Sequence, residues 1–415
     1  MIQLSPQKRN TRKGVATSHR AVSAALAVAL VATMTMLPAR PAEAATVAQQ
    51  IPVTYGQTEA RSMLAMINAF RASNAKCWNS TNTAQVAVGK QPALAYDYEL
   101  EKVAMLRAAE IAVSYGHDRP DGTDCFTAFP AAPLYACGEN IAAGYGTANA
   151  VFVGWREDNE KYQGQGHRRN MLEPAFTAVG IGHVTLGGTH YWVQNFGAPG
   201  TGAAVTPAVD GIRTVSVAID EGKITSRSLA SSARALAVAK GKSVGLPKVT
   251  MAMAVRDNWP TGKLSFAASN PAWKSSNPAV ATVSGQCVIG KKAGKAMLTA
   301  RVNGLSVRVP ITVVQPQATA LSSVKGAKKS LTIRWKKRAK YVTGYQVQCS
   351  TSKKFTKKTT VTKTVKKAKA TSLSVKKLKA KKTYYVKVRT YYKDKATGKT
   401  FYSSWSKVKK AKTKR

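Results

Sequence analysis

The chain has 415 residues, which excludes a single compact core; at roughly 150 residues per domain it divides into two to four. Its formal charge of +45 is unevenly spread: residues 45–205 carry 11 Lys/Arg against 13 Asp/Glu, a net of −2, whereas residues 321–415 carry 32 against Asp394 alone, a net of +31. That rear charge exceeds what a merely solvated, solubilising face needs, and it seeks polyanions.

The N-terminus opens with Lys8, Arg9, Arg12, Lys13 and Arg20, followed by an apolar run from Ala21 to Leu37 and then Ala42-Glu43-Ala44. This is the charged, apolar, small-residue order of a secretory signal peptide over 1–44, cleaved after Ala44. The alternative is an uncleaved anchor, because the apolar run approaches the roughly 17 residues that span a bilayer. Cleavage is favoured by Pro38, Pro41 and the Ala-x-Ala sequence behind the run, and the mature chain is then expected to be secreted and extracellular, associated with the cell surface. Its partners are then anionic cell-wall polymers or a membrane surface, and intracellular nucleic acid is excluded. Export also permits disulfides, but the cysteines (Cys77, Cys125, Cys137, Cys287 and Cys349) are odd in number. Cys125 and Cys137 flank a short Pro/Ala-rich loop and either bridge, for about 3 kcal/mol in the chain-entropy model, or remain two buried thiols. Cys287 and Cys349 read as small buried hydrophobes.

Between about Gln50 and Val205, Thr58 is placed to cap a helix with Met63, Leu64, Ile67 and Phe70 on one face. Asp97 is placed to cap a second helix, carrying Leu100, Val103, Ala104, Arg107, Ala108 and Ile111. A third helical stretch runs from about Ala148 to Glu160, with Val151, Phe152 and Trp155 together. Two apolar runs, Ala178–Leu186 and Thr189–Phe196, meet at Gly187-Gly188, a hairpin signal. Helices followed by paired strands predict an α+β domain over 45–205. Residues 206–232 read as a linker. Beyond it, short strand-like runs broken by Gly, Pro, Ser and Asn predict two all-β sandwiches, over 233–315 and, with lysine-rich turns, over 316–415. In the latter Tyr384, Val386 and Val388 alternate with Tyr385, Lys387 and Arg389, separating a buried face from a cationic one.

Four segments of the first domain carry polar chemistry: GHDRPDG (116–122) with His117, CGENIAAG (137–144) with Glu139, GWREDNEKYQGQGHRRNM (154–171) with Trp155, Glu157, Asp158 and His167, and YWVQNFG (191–197) with Gln194. In this order they resemble the CAP (SCP-like) superfamily of cysteine-rich secretory, antigen 5 and pathogenesis-related proteins, in its bacterial form, over roughly Glu59 to Gly197. The resemblance implies an α-β-α sandwich whose central cleft holds two histidines and two acids. Carried over by motif, these are His117, Glu139 and His167, with Asp158 as the second acid three residues after Trp155 and Glu157 its competitor; Gln194 is an additional cleft residue. His183 and His190, in the hairpin runs, are expected to be packed or solvated.

Such a set suits three roles. It can bind a divalent metal such as zinc through His117 and His167, although three protein ligands are usual for catalytic zinc. It can move protons as a metal-assisted or acid/base hydrolase, a peptidase or cell-wall-active enzyme. Or it can be a satisfied polar network that positions a ligand without turnover. The resemblance adds lipids, sterols and peptides as ligand classes, and a binding or interaction module is the favoured function. Further on, SSNPAVATVSGQCVIGKKAGKAMLTARV (275–302) resembles a bacterial immunoglobulin-like domain, and Trp335, GYQVQCS, Leu378 and Tyr384 resemble the landmarks of a fibronectin type III domain.

Overall fold

The computed structural model describes residues 45–129, 136–258 and 262–415; the expected signal peptide over 1–44 lies outside them. The described chain forms two compact units, one of residues 45–228 with 251–269 and one of residues 229–250 with 270–415.

The first unit runs β1 (Thr46–Gly56), α1 (Gln57–Ala72), a small hairpin of β2 (Lys76–Trp78) and β3 (Gln85–Ala87), β4 (Ala95–Tyr96), α2 (Tyr98–Ile111), β5 (Ala136–Ala143), α3 (Ala148–Arg156), α4 (Gly166–Leu172), β6 (Ala178–Leu186), β7 (Thr189–Ala198), β8 (Asp210–Asp220) and β9 (Ile224–Ser231). Its main sheet has the order β5-β7-β6-β1-β8, with β4 parallel beside β6. The alternation within β6 sets the layers. Val179 and Ile181 point into a core with Met63, Ile67 and Phe70 of α1, Val151, Phe152 and Trp155 of α3, and Met171 and Leu172 of α4. Gly180 and Gly182 face the other way, against α2. A Cβ on Gly180 would lie 2.1 Å from the α2 backbone at Leu100 and Glu101, and one on Gly182 2.2 Å from the carbonyl of Ala104. Only glycine permits that approach, and the outcome is an α-β-α sandwich.

The stretch expected as a linker does not behave as one. β8 pairs antiparallel with β1 along its whole length, from Thr46 opposite Asp220 to Gly56 opposite Asp210. Asp210 also accepts from the backbone N–H (3.1 Å) and hydroxyl (2.5 Å) of Thr58. The first turn of α1 is therefore capped by β8, and Thr58 donates instead of capping. Strands Val249–Val255 and Lys263–Ala267, expected within the second domain, form a three-stranded sheet with β9 and largely belong to the first unit. Between them the buried Asn258 amide donates to the carbonyls of Ala112 (3.0 Å) and Val113 (2.8 Å) at the end of α2.

The second unit contains two β-sandwiches in succession. In the first, a sheet of strands 236–239, 305–314, 294–302 and 272–275 faces one of 243–245, 287–290 and 281–284, across a core of Val238, Ala281, Val288, Leu298, Val309 and Ile311. In the second, strands 321–327, 330–335 and 372–375 face strands 360–365, 344–350, 383–393 and 400–402, across Trp335, Tyr345, Val347, Leu378, Tyr384, Val386 and Val388. The Tyr384 hydroxyl accepts from the N–H of Lys379 at 3.0 Å, fixing a corner beside Leu378. Cys349 lies in this core, and burial pushes its thiol up to about 12; Cys287 is only half-buried. The fold is thus a multidomain α+β unit followed by two all-β, immunoglobulin-like sandwiches. No helix among the described residues is long and apolar enough to cross a membrane.

Candidate functional site

α2 begins at Asp97, whose carboxylate accepts from the N–H groups of Glu99 and Leu100 at 3.0 Å each. The helix is almost wholly buried, yet it carries Arg107 at 0 % and Glu110 at 1 % exposure, so both charges must be neutralised in place. Arg107 donates from Nε and Nη2 to the two oxygens of Glu139 on β5 (2.8 and 3.1 Å) and from Nη1 to Glu110 (2.8 Å). Its Nη2 also reaches the carbonyls of Gly116 (2.9 Å) and His117 (3.2 Å). Glu110 is closed from the far side by Arg119 at 2.7 Å.

This guanidinium fixes both members of the first pair, because it holds the Glu139 carboxylate and the backbone of the His117 loop. His117 Nδ1 then lies 3.0 Å from Glu139 Oε1. Burial works against ionisation of Glu139, but the hydrogen bond from His117 and the charge and hydrogen bonds of Arg107 outweigh it and hold the carboxyl below its usual range. A third group joins them, since His117, Cys125 and Glu139 bring ligand atoms within 4.8 Å of one another. Burial first, and the charge of Glu139 second, push the Cys125 thiol well up. That donor set does not fit a metal ion: the thiol resists the deprotonation a metal needs, and Arg107 already claims both oxygens of Glu139. Cys125 is a buried thiol beside this pair.

The second pair corrects the sequence expectation. α3 ends at Arg156, and Glu157 takes the left-handed conformation with φ of 48°, so the helical spacing from Trp155 does not extend to residue 158. Glu157, not Asp158, meets His167 Nδ1, and its other oxygen accepts from the N–H of Arg168 at 3.2 Å. Asp158, 40 % exposed on its side chain, pairs instead with Arg156 and Arg168, each at 2.6 Å. Arg168 is buried and braces the carbonyls of Lys76 (2.8 Å) and Arg156 (2.6 Å).

Amides tie the two pairs together. Asn140, next to Glu139 on β5, donates to the carbonyl of His167 (3.1 Å) and to Gln194 on β7 (2.8 Å); Asn170 of α4 donates to Asn140 (2.8 Å) and to the carbonyl of Glu139 (3.3 Å). Gln194 is fully buried and touches Asn140 rather than a histidine. It supports the site from behind and does not line it. His183 and His190 form a separate cluster at the β6–β7 hairpin: the His183 ring stacks 3.6 Å from Trp192 and bonds to His190 at 2.9 Å.

Arg107, Glu110, Asn140 and Asn170 were not singled out from the sequence as site residues. The available signal was the presence of Arg107 on the apolar stripe of α2 with an acid three residues on. A charge in that position needs a buried partner.

Two family models match parts of the chain. The model of the cysteine-rich secretory protein family (CAP) matches residues 64–196, and that of the fibronectin type III domain matches 315–406. The uncharacterized protein YkwD of Bacillus subtilis (strain 168) is 41 % identical over 59 residues, 14 % of this chain and 20 % of YkwD. The chain therefore spans about a fifth of the length of that curated relative. Among solved structures, domains A168–A170 of titin match at 14 % identity and a TM-score of 0.30, covering 57 % of this chain and 83 % of theirs. The FN1–FN3 domains of chicken CNTN1 match at 14 % and 0.28, covering 55 % and 76 %. The chain is a multidomain protein with a CAP domain of the cysteine-rich secretory protein family in its first unit and a fibronectin type III domain at its rear.

Proposed function

We propose that the protein is an exported, surface-associated interaction protein: the CAP domain positions a ligand at His117 and His167, and the lysine-rich rear domain tethers it to anionic wall polymers or a membrane surface. The observation that carries this reading is the wiring of the two imidazoles. Each has its Nδ1 against a carboxylate that is itself held, Glu139 by Arg107 and Glu157 by the Arg168 N–H. Each imidazole is about a third exposed, at 31 % and 32 %, with Nε2 as its remaining nitrogen. Rings oriented in this way bind a ligand, or a divalent cation such as zinc, at little orientational cost.

The same orientation also serves an imidazole that takes a proton from water, so hydrolysis is the rival reading. Binding is favoured because Glu139 is locked in a buried ion pair with Arg107, and the nearest thiol, Cys125, is pushed toward its unreactive form. A separate groove of about 500 Å³ beside α1 and α3, lined by Met66, Phe70, Phe152 and Val153, includes neither histidine, and the Arg156 and Arg168 at its end are paired with Asp158.

Retention of the full chain on purified walls tests the tether. Raising salt from about 0.05 to about 0.5 M should release it, because screening shortens the reach of exposed charges. Retention that ignores salt would contradict the reading.

A further inference from the structure

On the outer face of the last domain, cations and aromatic rings alternate in one continuous stack. Lys387 Nζ lies 4.0 Å from the centroid of Phe355 and 4.8 Å from that of Trp405; the Arg389 guanidinium carbon lies 4.3 Å from Trp405 and 3.8 Å from Tyr402. Arg389 is fixed further by two donations to Gln346 Oε1, at 2.9 and 2.6 Å. The two cations sit two residues apart on one strand, about 7 Å. The neighbouring strand places Gln346 opposite Arg389 and Gln348 opposite Lys387.

Among the described residues, neither Lys387 nor Arg389 is in an ion pair with a carboxylate. Asp394 is the sole acid of residues 321–415, and its carboxylate is spent on its own turn, accepting from the N–H and hydroxyl of Thr397 at 2.9 Å each. Burial lowers the pKa of both cations, helped at Lys387 by the nearby Arg389. Two cations are thus held close, partly desolvated, with no carboxylate between them.

We propose that this stacked face is the binding surface for a phosphodiester polymer without bases, of the polyol phosphate class. The inference rests on the tether reading above and assigns it to one surface. Charge complementarity selects a polyanion, and the rigid cations lose little freedom on binding it. Nucleic acid fits less well, because a base would need a bare ring to stack on, whereas Trp405 already has two cations near its ring and Phe355 and Tyr402 have one each. Beside the exposed Tyr402 ring, the half-buried Lys387 and Arg389 present positive charge flanked by the half-buried side chains of Gln346 and Gln348, which suits phosphates joined by hydroxyl-bearing linkers.

The test measures affinity of the full chain for immobilised poly(glycerol phosphate) and for unstructured single-stranded DNA at physiological salt. Lys387→Gln/Arg389→Gln should weaken polymer binding roughly tenfold and lower the slope of log affinity against log salt by about two. Lys366→Gln/Lys367→Gln removes equal charge from exposed positions and should weaken it no more than about threefold. Gln348→Glu leaves the stack intact and should also weaken binding severalfold; it decides the matter if the double variant melts early. Equal losses in the two double variants would overturn the surface assignment while leaving a diffuse tether. A wild type that does not bind the polymer would overturn the tether reading itself. Stack-dependent binding that favours DNA would overturn the choice of partner.

Discussion

The Arg107 guanidinium grips both oxygens of Glu139, at 2.8 and 3.1 Å, where neither side chain has more than 1 % exposure. Removing one partner of such a pair strands the other charge in the core. Arg107→Met should therefore cost about 3–5 kcal/mol in urea unfolding. Adding Glu139→Gln to it should cost less than the two single changes together; strict additivity would show that the pair is not coupled.

Glu157 and Asp158 are adjacent, yet only Glu157 reaches His167. Glu157→Ala should change the tautomer balance of His167 read by nitrogen NMR, because the carboxylate that fixes the Nδ1 proton is gone. Asp158→Ala should leave that balance alone while loosening Arg156 and Arg168. The reverse pattern would restore Asp158 to the site.

α2 approaches β6 through Gly180 and Gly182, where an added Cβ would fall 2.1–2.2 Å from helix backbone. Gly180→Ala or Gly182→Ala should destabilise the first unit by about 3 kcal/mol or more, since backbone and not a flexible side chain must move. Thermal unfolding of the two variants checks this, and a shift within error would mean that α2 sits further from the sheet.

His183 is buried against Trp192, and burial, with His190 adding to it, holds its pKa down to about 4 despite Glu59. The unfolded chain takes a proton near pH 6.5 that the folded protein refuses until about pH 4. The neutral ring thus contributes nothing to pH dependence above about 6.5, and stability falls as the pH drops from there towards 4, by at most about 3 kcal/mol. In paired denaturant titrations, His183→Phe should remove this part of the acid sensitivity. Unchanged sensitivity would place the titration elsewhere.

Much of the architecture was legible because its signals are local. Asp97 caps α2 as its position predicts, and Gly187-Gly188, at φ of 60° and 86°, turn the hairpin between β6 and β7. The alternation through Tyr384, Val386 and Val388 gives the buried face of its strand. What was missed depends on distant partners. β8 is an edge strand whose register is supplied by β1, some 160 residues earlier, and no local pattern distinguishes it from a linker. At the site, His117, Glu139 and His167 were readable from motif order. The motif spacing from Trp155 points to Asp158 ahead of Glu157, but the chain leaves the helix after Arg156 and turns Glu157 to His167 instead. Arg107 was read as one more helix residue, although it holds the His117–Glu139 pair in place.

The central claim is that His117 and His167 present a ligand without turning it over. The most direct measurement compares the full mature chain with His117→Ala and His167→Ala for turnover of peptide and wall substrates, alongside zinc titration of the same samples. The account predicts a folded wild type without turnover, and loss of zinc or ligand binding in either variant. Turnover by the wild type that disappears in both variants would contradict it and make the site catalytic.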